Sequence, residues 1–306
     1  METKERLIRE LAGCLAQLFD HEFQSIGGIY FVSSVEWTRN RSVIASIDGD
    51  DSIPRFSPDP LHHPRSCFRS GPIVSSEPPD KAHAHDREAF RLTRDWLEDP
   101  DNDCIYRRKR SLSRMDFADD EECEELQSAL DFANRLHDLL PRWFPESDPP
   151  ESCRIFHHDL HEFNIISDED RIAGLLDWEF VSVVPVWQAC QLPRVLEGLD
   201  RRKPPERKQY PPYEIDSVDD DSLYWDDLFQ HEQTQLRRSF LSEMERIRPE
   251  WVREYHDGAF RRDFVRAIAS VERGFVPGWL SWIESLDKGE VMHRKTPEEW
   301  LDWLDD

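Results

Sequence analysis

The stretch Ile155-Phe-His-His-Asp-Leu-His-Glu-Phe-Asn164, followed by Leu175-Leu-Asp-Trp-Glu179, decides the interpretation of this 306-residue sequence. It places a carboxylate at Asp159, an amide five residues later at Asn164, and a second carboxylate thirteen residues further on at Asp177. The residues between Asn164 and Asp177 are apolar, then acidic, then apolar again, which predicts two short antiparallel strands joined by a turn. A hairpin of this length brings Asn164 and Asp177 towards each other at its open end.

These three side chains predict phosphoryl transfer from a magnesium-bound nucleotide. The amide oxygen of Asn164 and the carboxylate of Asp177 are hard oxygen ligands, which suit a Mg²⁺ ion shared with substrate phosphates. Asp159, on the loop before the hairpin, is then placed to accept or orient the proton of a substrate hydroxyl. The H-x-D-x-x-x-x-N spacing that begins at His157 matches the catalytic loop of protein kinases, with His158 where that loop has arginine.

The same residues resemble the catalytic loop and metal-binding aspartate of the aminoglycoside phosphotransferase and choline kinase group, which has a protein-kinase-like fold. Leu160-His161 and Trp178-Glu179 favour this group, because protein kinases carry a lysine after the loop and Phe-Gly after the metal aspartate. The resemblance implies that Asp159 is the catalytic base and that Asn164 and Asp177 hold Mg²⁺ and, with it, ATP. It also implies that the acceptor is a hydroxyl of a small molecule.

The predicted fold is α+β and mainly helical, a protein-kinase-like C-terminal lobe with one catalytic β-hairpin. We expect one domain over residues 1–290 and a C-terminal tail at 291–306. Within the domain, the sequence predicts an irregular insertion at about 31–80, the catalytic loop and metal hairpin at 154–180, and a helical subdomain at 223–284.

Three earlier segments show helical periodicity. The predicted helices run from Lys4 to Glu22, from Asp86 to Glu98 with its aromatic residues facing inward, and from Asp120 to Leu140. Gly27-Gly28 is interpreted as a helix stop and turn.

Two parts of a nucleotide clamp are missing from the sequence. It has no G-x-G-x-x-G motif among its 11 glycines, and no lysine-bearing strand follows Gly27-Gly28. The resemblance therefore implies a chain that begins after the hinge, without the N-terminal small lobe, and that is weakly active or inactive. A gene model that is truncated at its 5′ end and a true loss of the lobe would give the same amino-acid sequence. A missing lobe also predicts exposed apolar side chains near Leu7 and Leu11.

Two alternatives from other functional classes stay open. The first is a non-catalytic remnant that binds a ligand or a partner through the same cleft. The second is a metallohydrolase, because His157, His158, Asp159 and His161 are residue types that bind zinc or iron. Adjacent residues of a strand point to opposite faces, so His157 and His158 are not expected to share one ion. We predict instead that His157 packs behind the loop and hydrogen-bonds its backbone.

Composition predicts a soluble, cytoplasmic protein. No apolar run reaches the length of a membrane span, the first residues lack a secretion signal, and the six cysteines form no C-x-x-C pair. A net charge of −25 argues against binding to nucleic acid. The acidic runs Asp219-Asp-Asp221 and Asp226-Asp227 are explained by solubility or by attraction of a cationic substrate.

Overall fold

A computed structural model describes residues 2–31, 68–71, 89–98, 120–145, 151–168, 170–210, 222–272 and 277–287. The α-helices in these ranges are α1 Glu2–Phe19, α2 Thr93–Glu98, α3 Asp120–Trp143, α4 Val186–Ala189, α5 Ser222–Ile247, α6 Pro249–Asp257, α7 Ala259–Glu272 and α8 Pro277–Asp287. The strands are β1 Glu22–Phe23, β2 Gly27–Phe31, β3 Phe68–Gly71, β4 Cys153–His157, β5 Ile165–Asp168, β6 Arg171–Leu175 and β7 Val181–Pro185. None of the described helices combines the length and the apolar character needed to cross a bilayer.

The strands form two antiparallel sheets. Five strands pair in the order β1-β4-β7-β2-β3, and β5 pairs with β6 as a separate hairpin. The mainly helical α+β class is therefore confirmed. The expectation of a single hairpin is incomplete, because a five-stranded sheet lies beside it.

Strands β4 and β7 frame the predicted catalytic segment. They pair from Cys153 opposite Pro185 to His157 opposite Val181. Val183 and Val184 of β7 are buried, and β-branched side chains of this kind favour a strand that packs on a core. The chain therefore leaves the sheet after β4 and re-enters it at the same level at the start of β7. The loop and the β5–β6 hairpin lie between these two fixed points.

Two helical cores support this arrangement. One core joins α3, α7 and α8 around Phe132, Phe264 and Ile283. The other joins α1, α5 and α6, and it also includes Leu160 from the catalytic segment. Because Leu160 follows Asp159 directly in the chain, burial of its side chain ties the candidate catalytic residue to the helical core.

Gly27-Gly28 is not a helix stop, so that interpretation is wrong. Helix α1 ends at Phe19, and both glycines lie in β2, opposite Val183 and Ser182 of β7. Pairing with β7 outweighs the local tendency of two glycines to form a turn. Strand β3, inside the predicted irregular insertion, pairs with β2 in turn. The rest of that insertion, apart from residue 31 and β3, lies outside the described residues.

The second predicted helix is shorter than expected, because α2 begins at Thr93. Phe90 forms an antiparallel bridge with Ile26 instead, with backbone N···O distances of 2.7 and 2.9 Å in the two directions. The buried Thr93 hydroxyl donates to the carboxylate of Glu151. The bridge to the distant Ile26 thus places Phe90 outside the helix that was predicted to include it. Residues 86–88, at the start of that predicted helix, lie outside the described residues.

The apolar side chains of α1 are not exposed in the way that a missing lobe predicts. Leu11 is fully buried and Leu7 is half-buried. Helix α1 packs along α5, and Lys4 binds Glu232 of α5 at 2.6 Å. The expectation of an exposed apolar surface at Leu7 and Leu11 is therefore wrong.

We predict that Gly258→Ala destabilises the fold. A Cβ atom at Gly258, between α6 and α7, would lie 2.6 Å from Cβ of Trp187 and 2.8 Å from the carbonyl oxygen of Glu254. Neither atom is at the end of a flexible side chain, so the free energy of unfolding should fall by about 1–3 kcal/mol.

Gly13→Ala is the matched control, because a Cβ atom there meets nothing within 4 Å. Gly13 lies inside α1, so alanine should raise the free energy of unfolding by up to about 1 kcal/mol. Urea unfolding of both variants measures the difference. Equal stability of the two variants would contradict the packing at Gly258.

Candidate active site

His157 joins the catalytic loop to the strand that leads to Asp177. Its ring is only 5 % exposed. Nδ1 accepts a hydrogen bond from the backbone N–H of Asp159 at 3.2 Å, and Nε2 lies 2.8 Å from the carbonyl oxygen of Leu176. Because that oxygen only accepts and Nδ1 already accepts, the proton is on Nε2. The prediction that His157 packs behind the loop and hydrogen-bonds its backbone is confirmed.

Asn164 closes the loop from the other side. It ends a 3₁₀ turn at Glu162–Asn164 and is 8 % exposed. Its Nδ2 donates to the carbonyl oxygen of Asp159 at 2.8 Å, which fixes the orientation of the amide because that oxygen cannot donate. The backbone carbonyl oxygen of Asn164 accepts a hydrogen bond from the backbone N–H of Leu176 at 2.9 Å. The amide oxygen of Asn164 is therefore the side-chain atom that remains for a metal ion.

Asp177 lies directly after this contact, at the open end of the hairpin. Its backbone is in the left-handed region, with φ 60° and ψ 53°, and its side chain is exposed. A non-glycine residue in this region carries a conformational cost of about 1 kcal/mol or more, and such residues are concentrated at functional sites. The hydrogen bond between Asn164 and Leu176 thus closes the open end of the hairpin directly before Asp177.

The donor atoms at this mouth fit magnesium better than zinc. Asn164 and Asp177 offer an amide oxygen and a carboxylate, both hard ligands. Within the described residues, no group of three or more His, Cys, Asp or Glu side chains is arranged to hold a metal ion.

The remaining two histidines of the loop have different protein partners. Nε2 of His158 lies 2.6 Å from the hydroxyl of Ser182 on β7. His161 accepts from the backbone N–H of Phe163 at 3.2 Å, and its Nε2 is 3.5 Å from a carboxylate oxygen of Asp159. Desolvation, and then the neighbouring His157, lowers the pKa of His158 to about 4, so that ring is uncharged near neutral pH. These contacts give the two rings roles in holding the loop.

Arg194 is a site residue that the sequence interpretation missed. It begins a 3₁₀ turn at Arg194–Leu196, and its guanidinium forms an ion pair with Oδ1 of Asp159. The next residue, Val195, donates its backbone N–H to the carbonyl oxygen of Leu160 at 3.0 Å. Arg194 and Asp159 are 35 positions apart. No local pattern of the catalytic segment therefore points to Arg194.

Large apolar side chains are exposed on the same segments as the polar groups. The large exposed ones on the loop, the hairpin and its end are Phe163, Ile166, Leu176 and Trp178. Phe163 is 81 % exposed, and Trp178 lies edge-on to the His157 ring at 5.4 Å between centroids. Exposed apolar residues thus lie next to the polar groups of the site along the chain.

Comparison with known proteins supports the resemblance found in the loop. The sequence pattern of the Phosphotransferase enzyme family (APH) matches residues 2–188, which is more than half of the chain and includes Asp159, Asn164 and Asp177. No curated protein and no solved structure matched the chain. The matched range covers α1, both sheets and the catalytic loop and hairpin, and it ends before Arg194, which confirms the predicted resemblance. The chain belongs to the Phosphotransferase enzyme family.

Proposed function

We propose that this protein transfers a phosphoryl group from ATP, bound with Mg²⁺, to a hydroxyl of a small molecule. One observation carries the proposal: hydrogen bonds from His157 and Asn164 hold the Asp159 loop against the hairpin mouth that bears Asp177. Family membership supports phosphotransfer to small molecules in general.

Each residue has a separate task in this reaction. Asn164 and Asp177 would hold the metal ion with their oxygen atoms, and the bound ion would supply positive charge next to the phosphates. Asp159 is 28 % exposed at its side chain, so an acceptor hydroxyl can reach the carboxylate and give up its proton there. His157 acts on the backbone of the loop and fixes where Asp159 stands. This division suits phosphoryl transfer, which depends mostly on positioning and electrostatic stabilisation.

The described residues supply mainly the metal side of a phosphate clamp. None of the described strands contains a lysine, so no strand lysine of the kind that binds the phosphates in kinases is present in this part of the chain. Without it, the phosphates lack part of the positive charge that stabilises the transition state. We therefore expect slow turnover by this chain alone.

The charge of the acceptor does not follow from the acidic runs. Asp227 binds Arg201 at 2.8 Å and also accepts a hydrogen bond from the hydroxyl of Tyr210. Its charge is thus already compensated within the fold, and residues 219–221 lie outside the described residues. The proposal accordingly specifies a hydroxyl acceptor and leaves a cationic group as one of the classes to be assayed.

A second candidate is non-catalytic binding of a nucleotide or a partner at the same cleft. The exposed apolar side chains on the loop and the hairpin favour it, because exposed apolar surface beside polar groups is typical of binding sites. We propose that the protein is located in the cytoplasm, where nucleotides are available for either candidate function. The two candidates differ in turnover.

The first prediction for the site concerns the metal ligand. Asp177→Asn removes the negative charge that attracts the ion, so Mg-ATP should bind about 10-fold more weakly or worse. Calorimetric titration measures the affinity. Asp168→Asn is the matched control, because Asp168 is an exposed carboxylate at the far end of the same hairpin. Equal affinities of the two variants for Mg-ATP would contradict the metal assignment.

The second prediction concerns the base. The full chain should transfer phosphate far more slowly than about 1 per second, a low rate for an enzyme. Asp159→Asn should lower that transfer by a further factor of about 10²–10⁴, because it removes the proton acceptor. Labelled ATP with amino alcohols, amino sugars and neutral polyols provides the assay. Transfer by the variant at the rate of the unchanged chain would favour the non-catalytic candidate.

A further inference from the structure

The charges around the candidate site are mainly negative. Asp159, Asp177 and the exposed Glu162 and Glu179 all lie on the loop or at the hairpin mouth. A nucleoside triphosphate is strongly anionic, so these carboxylates repel it. An ion held by Asn164 and Asp177 would offset only part of that repulsion. The guanidinium of Arg194 brings a positive charge to the same place, at the carboxylate of Asp159.

The backbone of Arg194 is held firmly beside the loop. Val195 donates to the carbonyl of Leu160, and the carbonyl of the fully buried Leu196 accepts from Arg237 at 3.1 Å. The Arg194 side chain is 57 % exposed. The backbone of Arg194 is therefore held next to Asp159. Its exposed guanidinium can exchange one anionic partner for another.

Carboxylate and phosphate are matching partners for a guanidinium, because both accept two parallel N–H donors from its planar fork. Arg194 pairs with Oδ1 of Asp159, and Nε2 of His161 lies 3.5 Å from Oδ2. An acceptor hydroxyl can approach Oδ2 directly, and it has freer access to Oδ1 when Arg194 is released. Movement of Arg194 from Asp159 to a phosphate would free that oxygen when the nucleotide arrives.

We propose that Arg194 binds the terminal phosphate of the nucleotide, and that its ion pair with Asp159 holds the guanidinium ready when no nucleotide is bound. This role depends on the proposed function, since it needs the nucleotide at the hairpin mouth. It adds a catalytic residue after β7 to those on the loop and the hairpin. It also supplies part of the positive charge that a strand lysine provides in kinases.

The test compares Mg-ATP with Mg-ADP, which lacks the terminal phosphate. In calorimetric titrations of the full chain, Arg194→Gln should weaken Mg-ATP binding about 10-fold and change Mg-ADP binding less than about 2-fold. Arg194→Lys should fall between, because it keeps the charge and loses the fork. Arg246→Gln is the matched control, since Arg246 is an exposed arginine paired with Glu243 on α5. It should bind both nucleotides like the unchanged chain.

A double-mutant cycle separates direct binding from simple neutralisation of Asp159. Asp159→Asn removes the competitor for the guanidinium, so it should tighten Mg-ATP binding and leave Mg-ADP binding unchanged. If Arg194 binds the phosphate, Arg194→Gln still weakens Mg-ATP binding in the Asp159→Asn background. If it only neutralises Asp159, that second change has no effect, which overturns the proposal.

The proposed function and this role fail in distinguishable ways. Weaker Mg-ATP binding by Asp177→Asn with unchanged binding by Arg194→Gln overturns the role of Arg194 and leaves the metal site standing. No Mg-ATP binding by the unchanged chain overturns both. Circular dichroism checks that each variant is folded. If Arg194→Gln does not fold, Arg194→Lys, which keeps the positive charge, takes its place in the titrations.

Discussion

The hydrogen bonds of His157 are the contact on which the candidate site depends. One ring joins the backbone of Asp159 to the carbonyl of Leu176, and so connects the end of β4, the loop and the end of β6. Losing the ring would remove both hydrogen bonds that link the hairpin mouth to the loop. The candidate residues Asp159 and Asn164 lie on the loop and Asp177 follows β6, and the His157 ring links these two segments.

The helical cores and the sheet make that contact rigid. Leu160 is buried against α1 and α5, and Val195 and Leu160 share a backbone hydrogen bond. The β4–β7 pairing fixes both ends of the segment that carries Asp159, Asn164 and Asp177. Preorganisation of this kind matters for phosphoryl transfer, because the protein contributes position and charge more than covalent chemistry. In this mainly helical protein the candidate site therefore lies on a loop and a two-stranded hairpin.

The sequence was most informative where local pattern and tertiary structure agree. The hairpin, α1, α3 and the backbone role of His157 follow from periodicity, turn residues and the alternation of side chains along a strand. Prediction failed where a distant partner decides the structure. Gly27-Gly28 pairs with β7, and Phe90 bridges Ile26, so neither follows its local propensity.

The candidate site shows the same division. Asp159 and Asn164 lie in one short segment, and the turn between the strands places Asp177 near them, so their proximity was readable from spacing. Arg194 contacts Asp159 only because Pro193 to Leu196 folds back against Leu160. A single sequence contains no signal for that return. The positive charge of Arg194 beside Asp159 could be found only from the three-dimensional arrangement.

The most direct measurement of the central claim is a crystal structure of the full chain with Mg²⁺ and a non-hydrolysable ATP analogue. We expect the ion about 2.0–2.1 Å from Oδ1 of Asn164 and from a carboxylate oxygen of Asp177, with the phosphates between the ion and Asp159. An ion bound by His158 or His161, or a nucleotide bound away from the hairpin mouth, would contradict the account.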